Sequence, residues 1–255
     1  MGVFDRFKTP KYKHKDPEVR IGAVKELEDI EILENIAKND ADCRVCEEAI
    51  KKITNQTVLE DIAKNSPHYT SRIAAIKNPN LKNINILKII ATTDGQEYAN
   101  GEDCYPVRVE AIKKIENNSV LQGIINNSYD EEFKINKDMG YKYRYPIQAA
   151  IEKIDNQKTL RNIALNTNSE LIFKSVCMKI TNESYLIEVL LNNNVRPSGI
   201  NAARNTTRNR IFILVISQLK NRKCLEKLLD ELNERNYADY YKEKIHKRLK
   251  ELGYE

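Results

Sequence analysis

The sequence repeats itself. DPEVRIGAVKELEDIEILENIAKN, residues 16–39, aligns without a gap to DCRVCEEAIKKITNQTVLEDIAKN, residues 42–65, at an offset of 26. Ala23 meets Ala49, Leu27 meets Ile53, Leu33 meets Leu59, and Ile36-Ala37 meets Ile62-Ala63. The small residue of each unit continues through Ala75, Ala111, Ala150, Val176 and Ala202, giving seven units spaced 26, 26, 36, 39, 26 and 26 residues apart. A period in this range marks stacked supersecondary units, each of which needs its neighbours to bury its apolar side.

Each unit reads as two helices. Val19, Ala23 and Leu27 stand four apart, on one helical face, and Leu33, Ile36 and Ala37 make a second stripe after a short polar turn. The turns Thr54-Asn55, Asn117-Asn118, Asp155-Asn156 and Thr181-Asn182 supply N-cap residues for the second helix. Asn39, Asn65, Asn127, Asn166 and Asn192 close the second helices, and we expect them at C′ in the left-handed conformation. First helices are expected at about 17–27, 43–53, 69–77, 107–115, 146–154, 169–179 and 195–205. The fold class is therefore all-α. The expected architecture is a right-handed α–α superhelix, a solenoid of about seven two-helix repeats over 16–218.

Residues 1–15 form a basic N-terminal segment, whose Val3, Phe4 and Phe7 suit a cover for the first unit. Residues 219–255 read as a C-terminal helical cap rich in Lys and Glu. The apolar run Ile211–Ile216 is expected to be the last repeat helix lying under that cap.

Composition narrows the function classes. Eight Gly and seven Pro in 255 residues are too few for a mostly β chain. A net charge of +5 permits nucleic-acid contact without arguing for it. No secretory leader and no membrane-length apolar run occur, and five irregularly spaced Cys are not a disulfide framework, so the expected setting is reduced and cytoplasmic. The expected state is a monomer with no membrane association.

DPEVRIGAVKEL carries the Asp-x-x-Val-Arg opening of HEAT and HEAT-like repeats, and DCYPVRVEAIKKI repeats it at Asp103, Val107 and Arg108. SRIAAIKNP, residues 71–79, also resembles the leucine-rich-repeat variant. The resemblance covers about residues 16–218. It implies that Asp16, Arg20, Asp103 and Arg108 hold neighbouring repeats together rather than act on a ligand. The variant family is associated with an iron–sulfur cluster, but the clustered Cys it needs are absent here.

No chemistry stands out. Cys43-Arg44-Val45-Cys46 lacks the second ligand pair of a zinc site, and Cys46 and Cys177 fall on helix and core slots of the repeat. His14, His68 and His246 are far apart, and no phosphate loop or nucleophile motif is present. No catalytic residue, metal or cofactor is assigned. The alkylpurine DNA glycosylases and the bilin lyases are similar in architecture. The glycosylase site, however, uses an Asp flanked by Trp, and this chain has no Trp.

Two binding surfaces are expected. The repeat is interrupted by inserted loops at 94–106 and 128–146, whose Tyr98, Glu102, Asp103, Tyr105, Tyr129, Tyr141, Tyr143 and Tyr145 suit a basic peptide. From Arg196 to Lys223 run seven basic residues without an acidic one: Arg196, Arg204, Arg208, Arg210, Lys220, Arg222 and Lys223. Such a run can neutralise phosphates. The leading expectation is a non-enzymatic scaffold for a protein or peptide; nucleic-acid binding is the alternative.

Overall fold

The computed structural model describes residues 9–93, 105–127, 146–192, 207–233 and 239–255. Every regular element among them is helical. A 3₁₀ turn, η1 (Lys11–Lys13), precedes fifteen α-helices. The first seven are α1 (Pro17–Glu26), α2 (Ile30–Asn39), α3 (Cys43–Lys52), α4 (Gln56–Asn65), α5 (Tyr69–Lys77), α6 (Ile84–Thr93) and α7 (Tyr105–Lys114). Next come α8 (Asn118–Asn126), α9 (Pro146–Lys153), α10 (Gln157–Asn166), α11 (Glu170–Cys177) and α12 (Glu183–Asn192). The last three are α13 (Thr207–Gln218), α14 (Arg222–Asn233) and α15 (Asp239–Glu251). None is long and apolar enough to cross a membrane.

The chain divides into two compact units, one built mainly from residues up to Glu116 and the other from Asn117–Ile135 and Ala150 onward. In the first unit, the first helices α1, α3, α5 and α7 pack each on the next, as do the second helices α2, α4 and α6. Each second helix also packs on the following first helix. In the second unit, α8, α10, α12 and α14 follow one another in one row, and α11, α13 and α15 in the other. This is the all-α, solenoid-like arrangement expected from the repeat.

Ten-residue helices are marginal alone, so their stacking must stabilise them. Ala49, Ala75, Ala111 and Ala150 are fully buried where first helices approach closely, as are Ile50, Ile76 and Ile112 beside them. Full burial of each such Ile side chain contributes roughly 1.5–3 kcal/mol. Asn and Asp start the second helices as the sequence predicts: Asn55 accepts from the Thr57 N–H at 3.1 Å, Asn117 from Ser119 at 2.9 Å and Asn156 from Thr159 at 2.9 Å.

The recurrent Asn at the other end is a correction. Among the described residues no non-glycine has a positive φ. Asn39, Asn65 and Asn166 are the last helical residues, and the chain leaves in extended conformation at Asp40, Ser66 and Thr167. Their side chains instead reach back one turn, Asn65 to Asp61 at 2.8 Å and Asn166 to the Asn162 carbonyl at 2.7 Å. An extended exit swings the chain directly into the next first helix, so no left-handed residue is required.

The seventh unit is a second correction. Residues 195–205 lie outside the described residues. Helix α13 packs on the first helix α11, and α14 packs on the second helix α12. The Ile211–Ile216 run therefore occupies a first-helix place, and α14 and α15 continue the two rows. The turn geometry agrees. Gln157 accepts from the main-chain N–H groups of Thr181 and Asn182 at 2.7 and 3.3 Å, and Glu183 accepts from Lys220 and Asn221 at 3.1 and 2.8 Å.

Candidate binding face

Most of the sequence-predicted site residues lie outside the described residues: Tyr98, Glu102, Asp103, Tyr129, Tyr141, Tyr143, Tyr145, Arg196 and Arg204. Tyr105 opens α7 and Arg208 lies in the first turn of α13. Arg210 is exposed in that first turn, whereas Lys220, Arg222 and Lys223 follow the other end of the helix. Eight residues of helix follow Arg210 before α13 ends at Gln218, about 12 Å along the axis, and Lys220 lies two residues beyond. The Arg222 Nε donates to Glu226 at 2.7 Å, and its guanidinium lies 6.0 Å from the Tyr254 ring centroid. The described part of the basic run is thus split in two, and one member is already paired.

Of the residues implied to join repeats, Arg20 and Arg108 do so with other partners than the resemblance implies, and Asp16 does not. Asp16 caps α1 by accepting from the Glu18 N–H at 2.9 Å. Arg20 donates twice to Asp40, at 2.9 and 2.8 Å, in the turn between α2 and α3. Arg108 donates from Nε to the Ala91 carbonyl at 2.8 Å.

The exposed side of the first-helix row differs between the two units. In the first unit it is polar and balanced. The position three residues before each A–B turn holds Lys25, Lys51, Lys77 and Lys113; Lys51 pairs with Glu48 at 2.5 Å and Lys113 with Glu110 at 2.9 Å. A shallow cleft of about 440 Å³ between α3 and α5 has Glu47 on one wall and Lys77 on the other. A second cleft, about 660 Å³, lies beside η1 and α2 and includes the Arg20–Asp40 pair.

In the second unit the exposed side of the first helices is apolar and basic. Leu171–Asn182 aligns without a gap to Arg210–Asn221, offset 39. The match places Ile172, Phe173, Val176 and Ile180 opposite Ile211, Phe212, Val215 and Leu219, all buried. The outward positions then fall together: Leu171 with Arg210, Lys174 with Ile213, Ser175 with Leu214, and Met178 with Ser217. Helix α15 extends the pattern. Arg248 donates to the Leu219 carbonyl at 3.0 Å as Lys179 does to Ile151 at 3.1 Å, which brings Tyr240, Lys244 and Lys247 onto the same side.

Leu171 is 43% exposed and Met178 49%. In the first three repeats their equivalents are polar, Glu18, Arg44 and Thr70 for Leu171 and Lys25, Lys51 and Lys77 for Met178; the fourth repeat places Pro106 and Lys113 there. Ile213 and Leu214 are half-buried beside them. Gln218 donates from Nε2 to the Met178 sulfur at 2.8 Å, steadying the thioether at the surface. Lys174 and Arg210 are exposed and have no ion pair among the described residues. Lys244 lies 5.1 Å from the Tyr240 ring centroid and 3.4 Å from Glu243. The exposed apolar side chains Leu171 and Met178 thus lie beside the cations of Lys174 and Arg210.

The thiols are not poised for chemistry. Burial pushes Cys46 up to about 11 and Cys177 up to about 12, so both stay protonated near neutrality. His246 faces Glu255 at 2.9 Å, and the His14 Nδ1 accepts from the Asp16 N–H at 3.1 Å. No group of three or more His, Cys, Asp or Glu among the described residues is placed to hold a metal ion.

No protein-family model matches this chain, no curated protein is detectably similar to it, and no solved structure matches it.

Proposed function

We propose that this chain is a HEAT-like repeat module, of the right-handed superhelical kind, that binds a segment of another protein on the exposed side of α11, α13 and α15. One observation carries the reading. Leu171 and Met178 are large, apolar and nearly half exposed at positions where the first three repeats place charged or polar residues. Exposed apolar surface of this kind, rimmed by polar groups, is characteristic of docking sites. Repeat modules bind through such extended rows of equivalent helices. Nucleic-acid binding draws less support, because the described basic residues separate to the two ends of α13.

The test is photo-crosslinking from within the native lysate, with benzoylphenylalanine in place of Met178 and, as control, in place of Lys64 on α4. Polypeptide adducts specific to position 178 support the reading. Nucleic acid as the sole adduct, or the same adducts from both positions, overturns it.

A further inference from the structure

We infer that the segment received on this face is acidic and amphipathic, a partner that sets carboxylates beside apolar anchors. The inference rests on the proposed docking at α11, α13 and α15 and adds the chemistry of what docks. Charge complementarity decides it. Lys174 and Arg210 are exposed and free of ion pairs among the described residues, and Lys247 is only loosely engaged, 3.9 Å from Glu251. Lys244 is shared between Glu243 and the Tyr240 ring. Glu243 is the one carboxylate among these outward positions, and it faces Lys244. The apolar floor sits between the cations. Leu171 and Met178 are seven residues apart on α11, two turns and about 10 Å, with Lys174 midway. Ile213 and Leu214 occupy the equivalent middle of α13, with Arg210 one turn before them. Neighbouring helices in a packed row lie 8–10 Å apart, so Lys174 and Arg210 stand roughly 10 Å from each other across the floor. Two turns of a bound helix cover the same distance. A helix with apolar residues at i, i+3 and i+7 and Asp or Glu flanking them can therefore bury the former on Leu171, Met178, Ile213 and Leu214 while its carboxylates meet Lys174 and Arg210.

A basic partner would leave these cations facing like charge, which disfavours it. A nucleic acid would satisfy the cations but would leave Leu171 and Met178 without an apolar counterpart; backbone contacts alone reward only charge.

The experiment uses the full chain and three fluorescein-labelled peptides of about 15 residues. All share one apolar stripe of Leu at i, i+3 and i+7, and their polar faces are all Glu, all Gln or all Lys. Fluorescence anisotropy is read at low salt, with a random single-stranded DNA probe and phosphatidylserine vesicles in parallel. The expected order is Glu above Gln above Lys, with the Glu peptide binding about tenfold more tightly than the Lys peptide, as two or more exposed ion pairs can supply. Lys174→Glu with Arg210→Glu should erase or invert that order while circular dichroism stays unchanged. Leu171→Glu with Met178→Glu should weaken both the Glu and the Gln peptide. If the Gln and Lys peptides bind as tightly as the Glu peptide, the acidic character is overturned and the docking reading stands. If no peptide binds, or only DNA or vesicles do, both fall. Self-association lost in Leu171→Glu with Met178→Glu assigns the face to a second copy and also overturns the inference.

Discussion

The ammonium of Lys179 donates to the main-chain carbonyl of Glu152 at 2.6 Å, one repeat back along the row of first helices. The relationship recurs. Lys52 reaches the carbonyls of Lys25 at 2.9 Å and of Leu27, Lys114 reaches Ile76 at 2.7 Å and Asn78, and Arg248 reaches Leu219 at 3.0 Å. Where α5 has no Lys at this place, Asn78 donates to Ile50 and Ile53 at 2.8 and 3.0 Å. Each cation thus closes orphan carbonyls at the negative end of its neighbour's helix. Lys52→Met and Lys179→Met keep the aliphatic stem but lose the donors. Each should lower stability by about 1–2 kcal/mol in urea titration. A control Lys64→Met on the exposed side of α4 should change it by less than about 0.5 kcal/mol. Equal effects at the three positions would dismiss the capping role.

Acid should weaken the second-helix row through two inter-repeat ion pairs. The hydrogen bond from Arg161 holds Glu188 below the usual 4.5, and that from Lys38 holds Asp61 below the usual 3.8. Both carboxyls are depressed in the folded state. Their stabilisation is therefore complete above the unfolded values and is lost as pH falls through the folded ones. The pairs are half exposed, so the effect is modest. The urea midpoint of Glu188→Gln should lie below wild type near pH 7 and converge on it below about pH 4. A gap that persists in acid would show that the carboxylate is not its source.

Thiol reactivity should divide by burial. Cys46 and Cys177 are each 1% exposed, with pKa values raised to about 11 and about 12, while Cys43 and Cys224 are half-buried. A short iodoacetamide pulse near pH 8, followed by peptide mapping, should label Cys43 and Cys224 well ahead of Cys46 and Cys177. All four should react together in guanidinium. Fast native labelling of Cys177 would contradict its place in the core beside Phe173 and Ile180.

Much of this architecture is legible in the residues. The four-apart pattern of Val19, Ala23 and Leu27 places the first helix at 17–27, and α1 runs Pro17–Glu26; the three side chains are half-buried on one face and Val24 beside them is fully buried. The N-cap Asn is legible because only a short side-chain acceptor satisfies the first N–H groups. The C-terminal Asn misleads, since the residue that tolerates a left-handed turn also serves as a terminal helix residue bonding one turn back. Ala202, placed 26 residues after Val176 by spacing, lies outside the described residues. Val215, 39 residues after Val176, matches it in Ile-Phe, Val and the capping Asn, a longer offset that the 26-residue spacing does not suggest. The proposed binding face is hidden because Leu171 and Met178 look like core residues until their exposure in the structure shows that those positions point outward. Of the loop tyrosines, Tyr105 opens α7 and the others lie outside the described residues.

The phase of the seventh unit yields the last prediction. If α13 were a terminal second helix under a peripheral cap, removing α15 would matter little. In the structure α15 packs on both α13 and α14, continuing the first-helix row. Tyr241 places its ring centroid 4.4 Å from that of Phe212, and Ile245 and Leu249 are buried. Phe212 in turn holds the repeat position of Phe173, so its burial depends on a following first helix as that of Phe173 depends on α13. A chain ending after Asn233 should therefore lose more than about 3 kcal/mol, the cost of emptying one large core site. It should also bind anilinonaphthalene sulfonate. Leu219→Ala should cost about 2–5 kcal/mol, like Ile53→Ala at the same repeat position, because both side chains are fully buried at the turn between the two helices of a unit. An unchanged urea midpoint in the shortened chain, with no dye binding, would return α13 to the end of the stack.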